Sequence, residues 1–265
     1  MSHILVNVHK DKAEISKTGH KLKEIAKLIE PRRAVIKEFY EQNLIDMNTK
    51  VNKPKKKKSA KIVKSAILIP IVLCPDNELK VLLTVRTNRV SISKNEVSFP
   101  GGKWERNDES LITTALRESY EEIGLHADNI DHITEFVTLS TYRRGKIYNV
   151  YSIIGLLKSS FYAKLNRKEV QDVLLVPLSS MAHTHEYRTN NIPYLATQGL
   201  VMQHTTFKIF GLSYAFLGLF YLLATPSYKE TEYYRYLESR NGTSFVATMI
   251  WKMMELVNEL LVSKL

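Results

Sequence analysis

A chain of 265 residues, 44% of them hydrophobic, is long enough to bury one sizeable core and has the composition of an ordinary globular protein. Its formal net charge of +11 favours an anionic ligand, a nucleic acid or an acidic membrane surface as partner, although seven of the lysines lie within residues 53–64. The single cysteine, Cys74, excludes an intrachain disulfide, argues against a cysteine-based metal site and fits an intracellular setting.

Residues 1–60 predict a basic helical extension followed by a linker. Apolar residues recur at nearly helical spacing between residues 22 and 44, with a break at Pro31, so we expect one or two helices packed on a core. The lysine-rich run 53–64 is interpreted as a solvated linker, and its composition leaves a nuclear-localisation signal open. The N-terminus has no basic stretch followed by an apolar run, so a secretory signal is not expected.

Residues 61–265 predict one folded unit in which strands and helices are mixed without regular alternation. Apolar and β-branched runs predict strands at residues 65–74, 79–86, 96–99, 133–139, 147–156 and 173–178. Helical spacing predicts a helix at residues 111–123, ended by Gly124 in a left-handed conformation, and an amphipathic last helix at residues 245–262. This order of elements predicts a layered α+β domain.

Residues 209–224 form the longest apolar run of the chain. The run has sixteen residues and includes two glycines, a serine and two tyrosines. A membrane-spanning helix usually needs about 20 predominantly apolar residues. We therefore predict a buried core helix here and no membrane span.

Three carboxylates lie at positions i, i+3 and i+4 of the helix predicted at residues 111–123. Glu118, Glu121 and Glu122 therefore share one face, about one turn apart. A hard divalent cation would offset their mutual repulsion, and Mg²⁺ and Mn²⁺ prefer carboxylate oxygens as ligands. Arg117 is expected to pair with Glu109 and hold this face in place. By itself the pattern also fits a solvated acidic face.

Residues 99–125 resemble the Nudix box, the pattern G-x5-E-x7-R-E-U-x-E-E-x-G-U in which U is apolar. Seven fixed positions are matched at the required spacing, by Glu109, Arg117, Glu118, Glu121, Glu122, Gly124 and Leu125. The first glycine position falls on Lys103, and Gly101 and Gly102 come just before it, which implies one extra residue in the loop. Ser119 occupies the first apolar position.

This resemblance implies a fold, a reaction and a set of site residues. The fold is expected to be a Nudix α/β/α sandwich with a mixed sheet and helical extensions at both ends, with residues 61–265 forming the hydrolase domain, a C-terminal helix and a targeting tail. The implied reaction is hydrolysis of a nucleoside diphosphate linked to another group, with Mg²⁺ or Mn²⁺ as cofactor. Glu118 and Glu122 are implied as metal ligands and catalytic carboxylates, with Glu121 as a further ligand, directly or through water. The resemblance also implies structural roles for five residues of the motif: Gly101, Gly102, Glu109, Arg117 and Gly124.

The residues before the box resemble a second signature, L-L-T-x-R-[SA]-x3-R-x3-G-x3-F-P-G-G, found in coenzyme A diphosphatases. The matches are Leu82, Leu83, Thr84, Arg86, Phe99, Pro100, Gly101 and Gly102. Thr87, Ser91 and Asn95 depart from it, where Ser or Ala, Arg and Gly are expected. Asn166 and Glu169 also belong to the run that resembles this subfamily.

Coenzyme A carries a diphosphate and a 3′-phosphate, so the resemblance makes a basic cleft expected. Arg86, Arg89 and Lys103 are the candidates to contact phosphates, with an exposed basic side chain as the alternative for each. NADH, ADP-ribose and a capped RNA end remain alternative substrates, although no RNA-binding motif accompanies the lysine run, so nucleic acid is not expected as a partner. A Nudix fold that binds without catalysis is a third alternative, which the intact carboxylate set disfavours.

The last three residues, Ser263, Lys264 and Leu265, have the sequence that the peroxisomal import receptor reads at a C-terminus. A coincidental tail is the alternative. Peroxisomes handle acyl-coenzyme A, and members of the resembled subfamily occur there, so the two signals agree. The expected localisation is the peroxisome, with coenzyme A or acyl-CoA as substrate and the import receptor as partner.

Overall fold

The protein is an α+β structure built around one large sheet. The computed structural model describes residues 4–34, 36–38, 61–88, 95–143, 146–182, 186–187, 199–201, 208–209, 211–225, 227–240, 250–251 and 254–255. The strands are β1 (Ile4–Val6), β2 (Lys61–Leu73), β3 (Leu79–Arg86), β4 (Val97–Ser98), β5 (Gly101–Lys103), β6 (Ile130–Arg143), β7 (Lys146–Leu157), β8 (Phe161–Ala163), β9 (Val170–Pro177), β10 (Glu186–Tyr187), β11 (Gly199–Val201) and β12 (Lys208–Ile209). The α-helices are α1 (Lys12–Ile29), α2 (Leu111–Ile123), α3 (Gly211–Ala224) and α4 (Glu232–Arg240).

The large sheet is mixed, as predicted. Its strands are ordered β4-β3-β2-β7-β6, with β5 also beside β2 and β9 also beside β3. The long strands β2 and β7 run parallel, and the other pairs of this sheet are antiparallel. The hairpin predicted between β2 and β3 is confirmed, and its turn contains Asn77 with a left-handed φ of 62°.

Both faces of the central strand β2 are covered. Leu68, Ile69, Ile71 and Val72 have no exposed surface. Successive side chains of a strand point to opposite faces, so burial of neighbouring residues requires a layer on each side. Helix α2 packs against β2 and β5, and helix α1 packs against β6 and β7. This burial agrees with the layered sandwich that the sequence predicts.

The apolar run is a core helix, as predicted. Helix α3 is buried along most of its length, and Phe220 meets Phe136 of β6 edge to face, with ring centroids 6.1 Å apart. In the part of the chain that the structure describes, no helix combines the length and the apolar character needed to span a bilayer. Of the last helix predicted at residues 245–262, residues 250–251 and 254–255 are described and are helical, and the rest lies outside the described residues.

The N-terminal segment contacts the core at points that the sequence did not indicate. The helical spacing predicted from residue 22 to the break at Pro31 falls in the last part of α1, which begins ten residues earlier, at Lys12. Strand β1 and its antiparallel partner β8 were not predicted. The Val8 N–H donates to Ser160 Oγ at 2.8 Å, which ties the same segment to the turn before β8. The interpretation of residues 53–64 as a linker is wrong for residues 61–64, which begin strand β2, and residues 53–60 lie outside the described residues. The division of the chain at residue 60 stays a prediction.

Two of the predicted strands were too short. The prediction 79–86 is confirmed, whereas 133–139 and 147–156 lie inside the longer β6 and β7. The ladder between these two strands continues through two irregularities, between Asp131 and Thr134 and between Glu135 and Thr138. Such bulges interrupt the alternation of polar and apolar residues that marks a strand in the sequence.

Candidate active site

The acidic helix is α2, and its two ends are capped as helices require. Ser110 precedes it and accepts a hydrogen bond from the Thr113 N–H at 3.0 Å, which satisfies one of the free N–H groups of the first turn. Gly124 ends it with φ at 70°, the left-handed conformation predicted for this position. The prediction of the helix at residues 111–123 is confirmed.

The glycine pair allows two close approaches. Gly101 has a φ of 154°, and a Cβ there would overlap the Ala66 carbonyl oxygen on the neighbouring strand β2. A Cβ on Gly102 would overlap the carboxylate of Glu118. Strand β5 can therefore pair with β2 and leave room for the Glu118 side chain only because both positions lack a side chain.

Glu122 is the most deeply buried carboxylate of α2, with 2% of its surface exposed. The Gly101 N–H donates to its Oε2 at 3.3 Å, and Arg86 Nη1 lies 3.7 Å from its Oε1. Burial raises the pKa of Glu122 to about 8, against the opposing effects of Arg86 and the Gly101 N–H, and Glu118 and Glu169 raise it further. Without a cation, this site disfavours the charged carboxylate.

Glu118 lies one turn earlier and is partly buried. Its Oε1 is 3.1 Å from Arg117 Nη1, and 15% of its side chain is exposed. Burial raises the pKa of Glu118, Arg117 opposes that shift, and Glu121 and Glu169 add to it. Two carboxylates with raised pKa values on one buried face form a set of oxygen donors suited to a hard divalent cation.

Glu121 does not join this buried pair. Its side chain is 52% exposed and lies 3.3 Å from Arg117 Nη1. Among the residues that the structure describes, no three His, Cys, Asp or Glu side chains are grouped closely enough to hold a metal ion. The described geometry thus brings together Glu118 and Glu122, and the role predicted for Glu121 stays a prediction.

Arg117 pairs with Asp108, and the predicted pair with Glu109 is wrong. Arg117 Nε donates to Asp108 Oδ1 at 2.9 Å and Nη2 donates to Oδ2 at 3.0 Å, while Glu109 is exposed. Asp108 is turned inward because it also accepts from the Glu105 N–H and from Thr114 Oγ1, each at 2.9 Å. The Arg117 guanidinium holds the pKa of Asp108 well below its ordinary range.

The three basic candidates have different positions. Arg86 ends β3 and is the ion-pair partner of Glu122, with 23% of its side chain exposed. Lys103 has an exposed side chain, and its carbonyl accepts from Arg117 Nη2 at 3.1 Å. Arg89 lies outside the described residues. Among these three, the described structure brings Arg86 to the carboxylate pair.

Comparison with known proteins decides the family. A family model described as the NUDIX domain matches residues 65–197, half of the chain. The chain belongs to the Nudix family. The match begins within β2 and contains the glycine strand β5 and the carboxylates of α2, the Nudix helix.

The chain is similar in sequence to characterised and uncharacterised proteins of this kind. The peroxisomal coenzyme A diphosphatase NUDT7 of Mus musculus is 33% identical over 129 residues, which are 49% of this chain and 53% of that protein. The uncharacterized Nudix hydrolase NudL of Yersinia pestis (strain Pestoides F) is also 33% identical over 129 residues, 62% of its length. The chain thus spans a little over half the length of these relatives. A Nudix hydrolase structure from Alicyclobacillus acidocaldarius has 17% identity and a TM-score of 0.40, covering 47% of this chain and 83% of that one.

A further carboxylate near the Nudix helix was given no role from the sequence. Glu169 is partly buried just before β9, and its charge raises the pKa values of both Glu118 and Glu122. The Asn166 N–H, three residues earlier, donates to the Glu122 carbonyl at 2.9 Å. In the sequence, the segment from Asn166 to Glu169 is marked only by its resemblance to the diphosphatase subfamily. No local pattern in this segment indicates contact with a helix more than 40 residues earlier in the chain.

Proposed function

We propose that the chain is a divalent-metal-dependent diphosphatase that hydrolyses coenzyme A or its acyl esters to 3′,5′-ADP and the corresponding 4′-phosphopantetheine. The observation that carries this proposal is the buried pair of Glu118 and Glu122 on the Nudix helix, beside Arg86 at the end of β3. The pair supplies oxygen ligands, and Arg86 supplies positive charge where a diphosphate would lie. The choice of coenzyme A rests on the signature before the box and on the activity for which the Mus musculus relative is named.

Glu118 and Glu122 would hold the metal, with Glu121 as a further ligand, directly or through a water. When bound, Mg²⁺ or Mn²⁺ would stabilise the negative charge that develops on the diphosphate oxygens. A cation held by Glu122 would offset the charge of that carboxylate, and Arg86, its present ion-pair partner, would then be available to pair with a phosphate. Arg89 and Lys103 are proposed as further phosphate contacts.

The proton of the attacking water goes to a carboxylate of this site. The water oxygen forms a bond to one phosphorus, and the bond from that phosphorus to the bridging oxygen breaks. The bridging oxygen leaves with the other phosphate, so the two products are phosphate monoesters. Glu118, Glu122 and Glu169 are the candidates for this base, and the two on the Nudix helix can serve only through an oxygen that the metal leaves free.

A substrate panel tests the proposal. The purified chain is incubated with Mg²⁺ or Mn²⁺ and with coenzyme A, an acyl-CoA, NADH, ADP-ribose or capped RNA, and the products are identified by mass spectrometry. We expect preferred turnover of coenzyme A or the acyl ester, loss of turnover in EDTA, and loss of turnover in Glu122→Gln. Preference for another substrate would refute the coenzyme A assignment, and turnover that survives Glu122→Gln would remove the Nudix helix from the mechanism.

We also propose that the chain is directed to peroxisomes. The proposal rests on the sequence Ser263-Lys264-Leu265 and on the peroxisomal localisation in the name of the Mus musculus relative. A fluorescent protein fused before Met1 should colocalise with a peroxisomal marker, and deletion of residues 263–265 should move it to the cytosol. Peroxisomal fluorescence that survives the deletion would show that these residues are not the address.

A further inference from the structure

The loop from Lys164 to Glu169, which joins β8 to β9, is attached to the end of the Nudix helix. The Lys164 N–H donates to the Ile123 carbonyl and the Asn166 N–H donates to the Glu122 carbonyl, each at 2.9 Å. Carbonyls in the last turn of a helix have no partner within the helix, so these two bonds satisfy them. The loop is thereby fixed to the turn that carries Glu122.

The other end of the loop is attached to the residue after β3. The Thr87 N–H donates to the Glu169 carbonyl at 2.8 Å, and Thr87 Oγ1 donates to the Lys168 carbonyl at 3.0 Å. Thr87 is buried and directly follows Arg86, the ion-pair partner of Glu122. The loop therefore connects two elements that each contribute a charged side chain to the site.

Asn166 organises the interior of the loop. Its carbonyl accepts from the N–H groups of Glu169 at 2.9 Å and Val170 at 2.8 Å, and its Oδ1 accepts from the Lys168 N–H at 3.2 Å. Its Nδ2 donates to Glu169 Oε1 across 3.5 Å, a long hydrogen bond. Both functional groups of the amide are thus used, one to fold the loop and the other to hold the Glu169 side chain.

We propose that Asn166 is a positioning residue of the diphosphatase site, which keeps the carboxylate of Glu169 directed toward the carboxylate pair of Glu118 and Glu122. The inference rests on the proposed function and names a residue to which that function assigned no role. The loop brings Glu169 to this site through its backbone, because the Asn166 N–H donates to the Glu122 carbonyl at 2.9 Å and the Thr87 N–H, next to Arg86, donates to the Glu169 carbonyl at 2.8 Å. The backbone of residue 166 keeps its N–H and carbonyl when Asn166 is replaced by alanine or serine, so the side chain can be tested without removing the attachment of the loop.

The test is a double-mutant cycle between Asn166 and Glu169. We expect Asn166→Ala to lower kcat by about 10-fold with KM nearly unchanged, as is typical of a residue that orients a site carboxylate. Mn²⁺ binding, titrated by electron paramagnetic resonance, should weaken severalfold because the negative charge of Glu169 is no longer held near the site. Glu169→Gln should have effects at least as large, and the double variant should resemble Glu169→Gln alone.

Arg167→Ala is the matched control. Arg167 is exposed in the same loop, and its guanidinium donates to the Gln171 carbonyl. We expect wild-type kcat and Mn²⁺ affinity from this variant. Melting temperatures of all variants are measured, so that a variant that fails to fold is recognised, and Asn166→Ser, which retains a short polar side chain, replaces Asn166→Ala in that case.

Two outcomes overturn the inference. One is wild-type kcat and Mn²⁺ affinity in the Asn166 variant, and the other is losses that multiply in the double variant, because a residue acting through Glu169 has no effect once that carboxylate is gone. Absence of turnover by the wild-type chain on every diphosphate of the panel would refute the proposed function instead. The Mn²⁺ titrations would still decide the role of Asn166, because they do not require turnover.

Discussion

The burial of Glu122 makes a quantitative prediction about stability without metal. The folded protein raises the pKa of this carboxyl from an ordinary value of 4.5 to about 8. Since the folded-state pKa lies above the unfolded one, the group stabilises the fold below pH 4.5, and that contribution is lost as the pH rises through about 8. The difference corresponds to about 5 kcal/mol at ~1.4 kcal/mol for each pH unit.

At high pH the fold bears the free-energy cost of a charged carboxylate buried at Glu122. Glu122→Gln removes this cost, because glutamine resembles the protonated carboxyl in shape and stays neutral. In EDTA at pH 9 we expect the variant to be more stable than the wild type by about 2–5 kcal/mol. The upper figure is the full free-energy cost of burying the charged carboxylate. The variant also leaves Arg86 without its ion-pair partner, and this reduces the gain in stability. At pH 5, where the wild-type carboxyl is largely protonated in the folded state, the two proteins should differ little.

The assay is urea unfolding at both pH values, with Glu121→Gln as the control. Glu121 belongs to the same helix but is 52% exposed, so its substitution should change stability little at either pH. Added Mn²⁺ should stabilise the wild type at pH 8 and stabilise Glu122→Gln much less, since the variant lacks the anionic ligand. Equal stability of wild type and Glu122→Gln at pH 9 in EDTA would refute the argument that this carboxylate is penalised by burial.

The same geometry makes three further predictions, the first of them with a control substitution. Asp108→Asn should lower the free energy of unfolding by about 2–3 kcal/mol at pH 7, because it breaks the ion pair with Arg117. The loss should be smaller at acid pH, because the pKa of Asp108 is lowered in the fold and its contribution to stability disappears as the pH falls. Glu109→Gln should have almost no effect on stability, and a similar loss in both variants would refute the assignment of the pair. Gly102→Ala should lower kcat at least ~10-fold while the protein stays folded by circular dichroism, because the new Cβ displaces the Glu118 carboxylate; unchanged kcat would contradict this. Arg86→Ala should raise KM for the diphosphate substrate by about 10-fold in steady-state assays, as expected for the loss of a charged contact, and an unchanged KM would exclude Arg86 from binding.

The local parts of the site were predictable from the sequence because their signals are local. Helical spacing, a glycine at the end of the helix and three carboxylates within five residues predict α2 and its acidic face. The glycine pair predicts a close backbone approach, and the structure identifies the neighbours, the Ala66 carbonyl and the Glu118 carboxylate. These features depend on residues that are near one another in the chain.

The remaining parts depend on which way a side chain turns or on distant pairing. Asp108 and Glu109 are adjacent acids, and spacing from Arg117 cannot tell which one the loop turns inward; the hydrogen bonds from Thr114 and the Glu105 backbone decide it. Pairing of β1 with β8 joins residues more than 150 positions apart. For the same reason the approach of the loop carrying Glu169 to the Nudix helix could be read only from the structure.

The most direct measurement of the central claim is product analysis of coenzyme A hydrolysis by wild type and Glu122→Gln at equal Mn²⁺ concentration. The reaction is run in ¹⁸O-labelled water, and the two phosphate monoesters are resolved by mass spectrometry. The account predicts 3′,5′-ADP and 4′-phosphopantetheine from the wild type, with one ¹⁸O in one of the two products, and turnover by the variant lower by a factor of at least about 100. Intact coenzyme A after incubation with folded, Mn²⁺-loaded wild type, or equal product formation by both proteins, would contradict it.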